Sequence, residues 1–137
     1  MYIDANVIVH AALDPTLKGD MAREILHRMN PKRFPVEIST LVMDEVLWAI
    51  QKRSGRAVSE SYGRLLLGLP FTWLDAGNDS AKAAIDYYHD GLDPRDSFHA
   101  GIMHAHGLQE IASEDSHFDG RRHIRRRTIK EALAGIG

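Results

Sequence analysis

The first ten residues constrain the fold more than any other stretch, because they join a short apolar run directly to an acid and a helix. Residues 1–3 are predicted to form a buried strand, and residues 5–13 a helix that ends at Asp14-Pro15. A strand that leads straight into a helix is typical of a parallel βα unit. Asp4 then stands at the carboxyl end of the strand, the edge at which open α/β sheets bind their ligands.

The alternation of strands and helices continues along the chain, which predicts a mostly parallel sheet covered by helices. The predicted strands are residues 1–3, 36–39, 71–75, 111–113 and 124–128. The predicted helices are residues 5–13, a segment through 21–29, 40–54, a helical hairpin within 57–69, 78–89, 94 to a stop at 107, and a last one from 129. The side chains expected on buried helix faces include Leu65, Leu66, Leu69, Ala81, Ala84, Ile85, Tyr88, Phe98, Ile102 and Ala105.

Length and composition limit the kind of protein. A chain of 137 residues has the size of one domain, so residues 1–137 are expected to fold as a single domain. Seventeen Lys and Arg against nineteen Asp and Glu give a net charge of -2, which argues against a non-specific nucleic-acid coat. The lack of cysteine excludes disulfides and removes the usual ligands of structural zinc. With no leader and no membrane-length apolar run, a cytoplasmic location is expected.

Four acids are expected to meet at the carboxyl rim of the sheet. Asp4 ends the first strand, Glu45 lies one turn into the helix after the second, and Asp115 follows the fourth strand. Asp96 lies in the first turn of the helix before that fourth strand. Glu45 is preferred to Asp44 because it borders the apolar stripe of its helix.

Such a cluster of carboxylates favours divalent metal ions. Acids without compensating Lys or Arg repel one another, and a cation relieves that repulsion. Oxygen ligands suit the hard ions Mg²⁺ and Mn²⁺. Two such ions about 4 Å apart activate water and stabilise both oxygens of an in-line phosphodiester displacement. The acids therefore indicate metal-dependent hydrolysis without a nucleophilic side chain.

Four stretches in order resemble the motifs of PIN-domain ribonucleases, notably VapC-like toxins: IDANV (3–7), STLVMDEV (39–46), RDSFHA (95–100) and IASEDSHFD (111–119). The resemblance spans nearly the whole chain. It implies a three-layer α/β/α sandwich and a Mg²⁺- or Mn²⁺-dependent endoribonuclease that leaves a 3′-hydroxyl. It also implies a homodimer and the toxin role in a toxin-antitoxin pair with an antitoxin protein, and the apolar helices after residue 57 are the expected dimer surface.

The resemblance assigns roles to individual residues. The catalytic and metal-binding acids are Asp4, Glu45, Asp96 and Asp115, with Asp119 as an auxiliary metal ligand. Asn6 and Ser113 match polar positions that line the site or orient its carboxylates. Glu114 departs from the family, which often has a basic or small residue there, and it either weakens the approach of RNA or faces solvent.

Other interpretations remain open at several of these positions. Asp96 also suits a helix-capping acid, and Asp119 a cap of the turn before Gly120. The eight histidines lack zinc-site spacing, and His99 is expected to be a partly buried hydrogen-bonding residue. The alternatives for the whole chain are a catalytically inactive PIN-like scaffold that binds RNA or protein, and a receiver-type or phosphatase-like domain with Asp4 as phosphoacceptor.

The basic residues are the candidates for RNA contact. Arg95 precedes one of the acids, and the other candidates, Arg121 and Arg122, belong to the only dense basic run of the chain. Arginines near an acidic metal site orient a polyanion through its phosphates without reading its sequence. The run is equally compatible with an antitoxin peptide, with intersubunit pairing, or with a solvated face. Its members are Arg121, Arg122, Arg125, Arg126, Arg127 and Lys130.

Overall fold

The computed structural model describes residues 1–137 and contains a five-stranded sheet in the order β3-β2-β1-β4-β5. All four strand pairings are parallel, so the predicted parallel sheet of an α/β/α sandwich is confirmed. The central strand β1 lies between β2 and β4, and its Tyr2 is in register with Glu37 and Ile111. The strands are β1 (Tyr2–Ile3), β2 (Glu37–Ser39), β3 (Thr72–Leu74), β4 (Glu110–Ala112) and β5 (Arg125–Arg127).

Seven α-helices and one 3-10 turn, Ser116–Phe118, complete the fold. Helix α1 packs on α2 and α3, α3 on α4, α5 on α6, and α2 on α7. None of the helices is both long enough and apolar enough to cross a membrane. The helices are α1 (Ala5–Leu13), α2 (Leu17–Arg28), α3 (Thr40–Ser54), α4 (Arg56–Leu67), α5 (Asn78–His89), α6 (Pro94–Ala105) and α7 (Ile129–Gly135).

The short strands are held by a largely apolar core. Tyr2, Ile3, Ile38 and Ile111 are fully or almost fully buried at the centre of the sheet. Because the strands are parallel, their carboxyl ends meet at one rim. Asp4 directly follows β1, Ser39 ends β2, and Ser113 follows β4, so each of these polar residues lies at that rim.

The predicted hairpin within residues 57–69 was wrong. This segment forms the single helix α4, which pairs with the preceding helix α3. Of the leucines expected on its buried side, Leu66 is buried, Leu69 is half-buried and Leu65 is exposed. Ser59 and Gly63 take the remaining inward positions, because small residues let α4 approach α3 closely.

The predicted inward faces of α5 and α6 were also partly wrong, because Ile85, Tyr88, Phe98 and Ala105 are exposed. The two helices instead meet through small residues. A Cβ atom added to Gly101 would lie 2.3 Å from the carbonyl oxygen of Ser80. At so close an approach the large apolar side chains remain outside the contact.

Candidate metal centre

Asp4 lies at the bottom of the candidate site. It occupies the N-cap position of α1 without making a side-chain cap, and only 7% of the residue is exposed. Its Oδ2 atom accepts hydrogen bonds from the hydroxyl of Ser113 at 2.6 Å and from Nδ2 of Asn6 at 2.8 Å. These two donors fix the carboxylate at the carboxyl end of β1.

Asn6 and Ser113 also connect Asp4 to the loop after β4. The Asn6 amide donates to Ser113 Oγ at 3.0 Å, and its Oδ1 accepts the backbone N–H of Glu114 at 3.2 Å. Ser113 Oγ in turn accepts the backbone N–H of Asp115 at 3.0 Å. One hydrogen-bond network therefore orients Asp4 and positions the backbone that carries Asp115.

Glu45 points inward from α3, whereas Asp44 is exposed. Its Oε2 atom accepts a hydrogen bond from Nε2 of His99 at 2.7 Å. On the other side of the ring, Nδ1 of His99 lies 2.9 Å from the hydroxyl of Tyr2, which lies 2.8 Å from Ser39 Oγ. His99 is 1% exposed, so it is a fully buried hydrogen-bonding residue rather than the partly buried one expected.

Asp96 and Asp115 form the outer part of the site with His117. The Nδ1 atom of His117 lies 3.1 Å from Asp115 and 3.7 Å from Asp96. Asp96 makes no capping hydrogen bond at the start of α6. The capping box of this protein is at α7, between Thr128 and Glu131. Asp96 is therefore free to face the other acids.

The four acids line one cleft of about 560 Å³. Its inner group comprises Asp4, Glu45 and His99, and its outer group comprises Asp96, Asp115 and His117. Within each group the potential ligand atoms all lie within 4.8 Å of one another. The structure thus brings together acids from the first residues of the chain and from its last quarter.

The electrostatics of the cleft disfavour ionisation of Asp4 and Asp96. Burial raises the pKa of Asp4. Burial, and then the charges of Asp115 and Asp4, raise the pKa of Asp96 to about 6. The Glu45 carboxylate has one positively charged partner, Arg95, whose Nε lies 3.2 Å from Oε1. Asp4, Asp96 and Asp115 form no ion pair with arginine or lysine.

This donor set fits a hard divalent ion. Carboxylate oxygens are the ligands that Mg²⁺ and Mn²⁺ prefer, and repulsion among the acids falls when a cation binds. The hydrogen bonds to Asp4 and Glu45 resemble the supporting contacts that orient metal ligands in proteins. Both ring nitrogens of His99 are already hydrogen-bonded, to Glu45 and Tyr2, whereas His117 places a nitrogen atom beside the outer acids.

Asp119 and Glu114 lie outside this constellation. Asp119 forms a two-pronged ion pair with Arg126, at 2.7 and 2.9 Å. Glu114 pairs with Lys18 at 2.8 Å and accepts the backbone N–H of Ile129 at 2.8 Å. Each of these acids thus has a cationic partner of its own.

The basic run is mostly engaged with neighbouring groups. Arg121 donates to the carbonyl oxygens of His117 and Asp90, and Arg122 lies 3.3 Å from the Asp90 carboxylate. Arg125 and Arg127 both pair with Glu110. Among the three candidates for RNA contact, Arg95 is the one that lines the cleft.

Sequence reasoning missed the support that Tyr2, His99 and His117 give to the acids. Tyr2 has the sequence context of a core aromatic residue in an apolar strand, and the residues next to it in the sequence do not indicate a polar partner. His99 is separated from Tyr2 by 97 positions and from Glu45 by 54. The one available signal is local, because His117 lies two residues after Asp115.

A family model described as the PIN domain matches residues 1–134. The chain belongs to the PIN-domain family. Members of this family are nucleases that generally use divalent metal ions, and the acidic cleft offers a candidate site for them. A search among curated proteins found no significant match.

Solved structures with the same fold include toxin-antitoxin proteins. A DNA-bound VapBC complex from Salmonella typhimurium is 16% identical and has a TM-score of 0.73, covering 93% of this chain and 96% of its own. VapC20 of Mycobacterium tuberculosis is described as a Sarcin-Ricin loop cleaving toxin and is 15% identical to this chain, with a TM-score of 0.72. The match covers 90% of this chain and 98% of VapC20. VapBC2 of Rickettsia felis, bound to a promoter DNA fragment, is 15% identical to this chain, with a TM-score of 0.71. The match covers 93% of this chain and 96% of the chain from that complex. At this level of identity the likeness supports the PIN fold.

Proposed function

We propose that this PIN domain is a metal-dependent endoribonuclease that hydrolyses RNA phosphodiester bonds with Mg²⁺ or Mn²⁺. The observation that carries the proposal is the cleft in which Asp4, Glu45, Asp96 and Asp115 meet. A scaffold that only binds RNA has no need to bury acids such as Asp4 and Asp96 without an arginine or lysine partner, because such burial costs stability. Asp4 is also a poor phosphoacceptor, because it is buried and holds two hydrogen bonds through Oδ2.

The four acids are proposed to bind the metal as two pairs. Asp4 and Glu45 would hold a metal ion at the bottom of the cleft, and Asp96 and Asp115 would hold the outer side. A divalent ion held by these acids would lower the pKa of a water molecule and neutralise charge on the phosphate. The water oxygen forms a bond to phosphorus, the bond from phosphorus to the 3′-oxygen breaks, and that oxygen takes up a proton to leave a 3′-hydroxyl. Asn6 and Ser113 keep Asp4 oriented throughout.

Arginines are proposed to contact the RNA backbone. Arg95 lines the cleft with a mostly exposed side chain, so it can exchange its contact with Glu45 for a phosphate. Arg121 donates to carbonyl oxygens and has no carboxylate partner, so its charge remains available. Arg122 is exposed beside it. Asp119, held by Arg126, is retained as an auxiliary acid only at the margin of the site.

We further propose that the protein is the toxin of a toxin-antitoxin pair and acts in the cytoplasm. The support is the PIN fold shared with the VapBC complexes. By the same reasoning an antitoxin protein is the expected partner.

A homodimer is proposed through the apolar surface of α4 and β3. Leu67 and Trp73 are exposed there beside Met43 and Leu47 of α3, in an open pocket of about 460 Å³. Light scattering tests this proposal: Leu67→Arg should give a monomer. Ile85→Arg is the matched control, because Ile85 is equally exposed but lies on α5. A monomeric wild type, or a dimer unaffected by Leu67→Arg, contradicts this interface.

The nuclease proposal is tested by a gel assay on labelled single-stranded RNA with Mg²⁺, Mn²⁺ and EDTA. Cleavage is expected with either ion and not with EDTA. Asp96→Asn should abolish cleavage while leaving the fold intact, whereas Asp79→Asn, at an exposed acid on α5, should cleave as the wild type does. RNA binding without cleavage under all conditions would favour the inactive scaffold. Cleavage retained by Asp96→Asn would make Asp96 a structural residue only.

A further inference from the structure

The cleft that contains the acids continues beyond them between α1 and α3. On the α1 side its wall passes through Val9, Leu13 and Pro15, and on the α3 side through Trp48 and Arg53. Helical rise places Arg53 about 12 Å along the α3 axis from Glu45. The volume of about 560 Å³ lies within the range of small-molecule sites. The groove thus extends well past the space that the metal ligands occupy.

Trp48 is the distinctive residue of this extension. Its side chain is 59% exposed although it lines a cleft, so it does not serve the hydrophobic core. It lies three residues after Glu45, which puts the two on neighbouring positions of one helix face. The indole therefore presents a large, rigid aromatic surface immediately beside the acids.

Positive charge accompanies the indole. The Nζ atom of Lys52 lies 4.3 Å from the centroid of the Trp48 ring, and Arg53 lines the groove one residue further on. The one acid in this extension, Asp14, already accepts hydrogen bonds from Thr16 at 2.6 and 2.8 Å and from His10 at 2.7 Å. Beyond the four acids, the groove therefore offers an exposed indole with Lys52 over one of its faces, and Arg53, which forms no ion pair, lies beside it.

We propose that Trp48 is a base-stacking subsite for single-stranded RNA, and that Lys52 and Arg53 contact the phosphate next to the stacked base. This inference rests on the proposed ribonuclease function and names how its substrate is held. A strand whose scissile phosphate lies at the four acids must extend its adjoining nucleotides over the neighbouring surface. Single-stranded RNA is recognised largely by stacking of unpaired bases on aromatic side chains beside a basic track.

The two tryptophans of the chain allow a direct fluorescence test. Trp73 lies on β3, in a pocket outside this cleft. In Trp73→Phe combined with Asp96→Asn, Trp48 is the sole tryptophan and cleavage is suppressed. Titration with a single-stranded oligonucleotide should quench its emission. The matched protein, Trp48→Phe combined with Asp96→Asn, reports from Trp73 and should show no quenching.

Affinity measurements separate stacking from charge. Trp48→Ala should weaken binding of the oligonucleotide by about 5- to 150-fold, the range expected for loss of one stacked base. Trp48→Phe should retain most of the affinity. An abasic oligonucleotide of equal length should bind Trp48→Ala and wild-type protein alike, because it has no base to stack. Unchanged thermal midpoints confirm that the variants are folded.

The outcomes distinguish this inference from the function on which it rests. If wild-type protein cleaves RNA but Trp48→Ala binds and cleaves equally well, the stacking subsite is wrong and the nuclease stands. Equal losses with abasic and intact oligonucleotides also overturn the subsite. If RNA is neither bound nor cleaved with Mg²⁺ or Mn²⁺, both proposals fail, and the Trp48 surface is left to a protein partner.

Discussion

Glu45 is held by a chain of hydrogen bonds whose direction follows from its chemistry. A carboxylate only accepts, so Nε2 of His99 carries the proton shared with Glu45. In the neutral ring Nδ1 is then an acceptor, and the Tyr2 hydroxyl donates to it. Ser39 in turn donates to the Tyr2 oxygen. Three buried side chains thus fix the orientation of one proposed metal ligand.

Loss of this support should weaken metal binding. Tyr2→Phe removes a single hydroxyl, and His99→Ala removes the ring, so we expect Mn²⁺ affinity to fall by roughly 10- to 100-fold in His99→Ala and by less in Tyr2→Phe. Isothermal titration of Mn²⁺ measures the effect. If His99 acts through Glu45, His99→Ala should cost little further affinity in a Glu45→Gln background. Additive losses would mean that His99 only fills the core.

Asp96 makes the metal-free protein sensitive to pH. Its pKa is raised from the ordinary value of 3.8 to about 6, so the folded state binds a proton more tightly than the unfolded chain does. The stabilisation from that proton is present at low pH and is lost as the pH rises from about 4 to about 6. In EDTA, the thermal midpoint of wild-type protein should therefore fall relative to that of Asp96→Asn over this range. Parallel pH profiles for the two proteins would contradict the raised pKa.

At the scale of elements, α6 depends on its close contact with α5. An added Cβ at Gly101 would meet the Ser80 carbonyl oxygen at 2.3 Å and the Ala84 nitrogen at 2.8 Å. Gly101→Ala should therefore destabilise the protein by about 1–3 kcal/mol despite the better helix propensity of alanine. Urea denaturation gives the measurement. Gly135→Ala on α7, where nothing lies within 4 Å, is the control and should be neutral or slightly stabilising.

The elements themselves were largely predictable from the sequence. Proline and glycine punctuate the chain, and helices α1 and α5 begin and end at the predicted residues. The strands were located to within one or two residues, because β1 to β4 each carry apolar side chains between breakers, whereas β5 consists of three arginines and was placed by Ile124 and Thr128 around it. The rim positions of Asp4 and Asp115 followed from one rule, since parallel strands direct their carboxyl ends to the same rim, and the inward position of Glu45 followed from the apolar stripe of α3.

The sequence did not predict which side chains of α5 and α6 are buried. Apolar periodicity favours the large residues Ile85 and Phe98 for the core, but α5 and α6 pack through Ser80, Ala84 and Gly101 instead. A hydrophobic pattern depends on the size and polarity of side chains, whereas the contact between α5 and α6 depends on how closely the two backbones approach. The buried hydrogen bonds of His99 were not predictable either, because its partners are distant in the sequence.

In the folded protein as a whole, burial and mutual repulsion of the cleft acids lower stability, and a bound cation would relieve that repulsion. Acids from the end of β1, from α3, from α6 and from the loop after β4 meet in the cleft, so they exist as a set only in the folded chain. An ion that binds this set binds the native state and not the unfolded one. Metal binding at the proposed site would therefore stabilise the fold of the whole chain.

That coupling predicts stabilisation by Mn²⁺. At about 100 times its dissociation constant, an ion bound only to the folded state adds about 2.7 kcal/mol. For a chain of this size, the thermal midpoint should rise by roughly 5–10 °C. Asp4→Asn should abolish the rise but keep the fold, because the carbonyl oxygen of the introduced amide can still accept the hydrogen bonds of Asn6 and Ser113. Asp44→Asn, at the exposed acid beside Glu45, should respond as the wild type does. An equal rise in Asp4→Asn would mean that Mn²⁺ binds elsewhere, and the metal centre assigned to this cleft would be wrong.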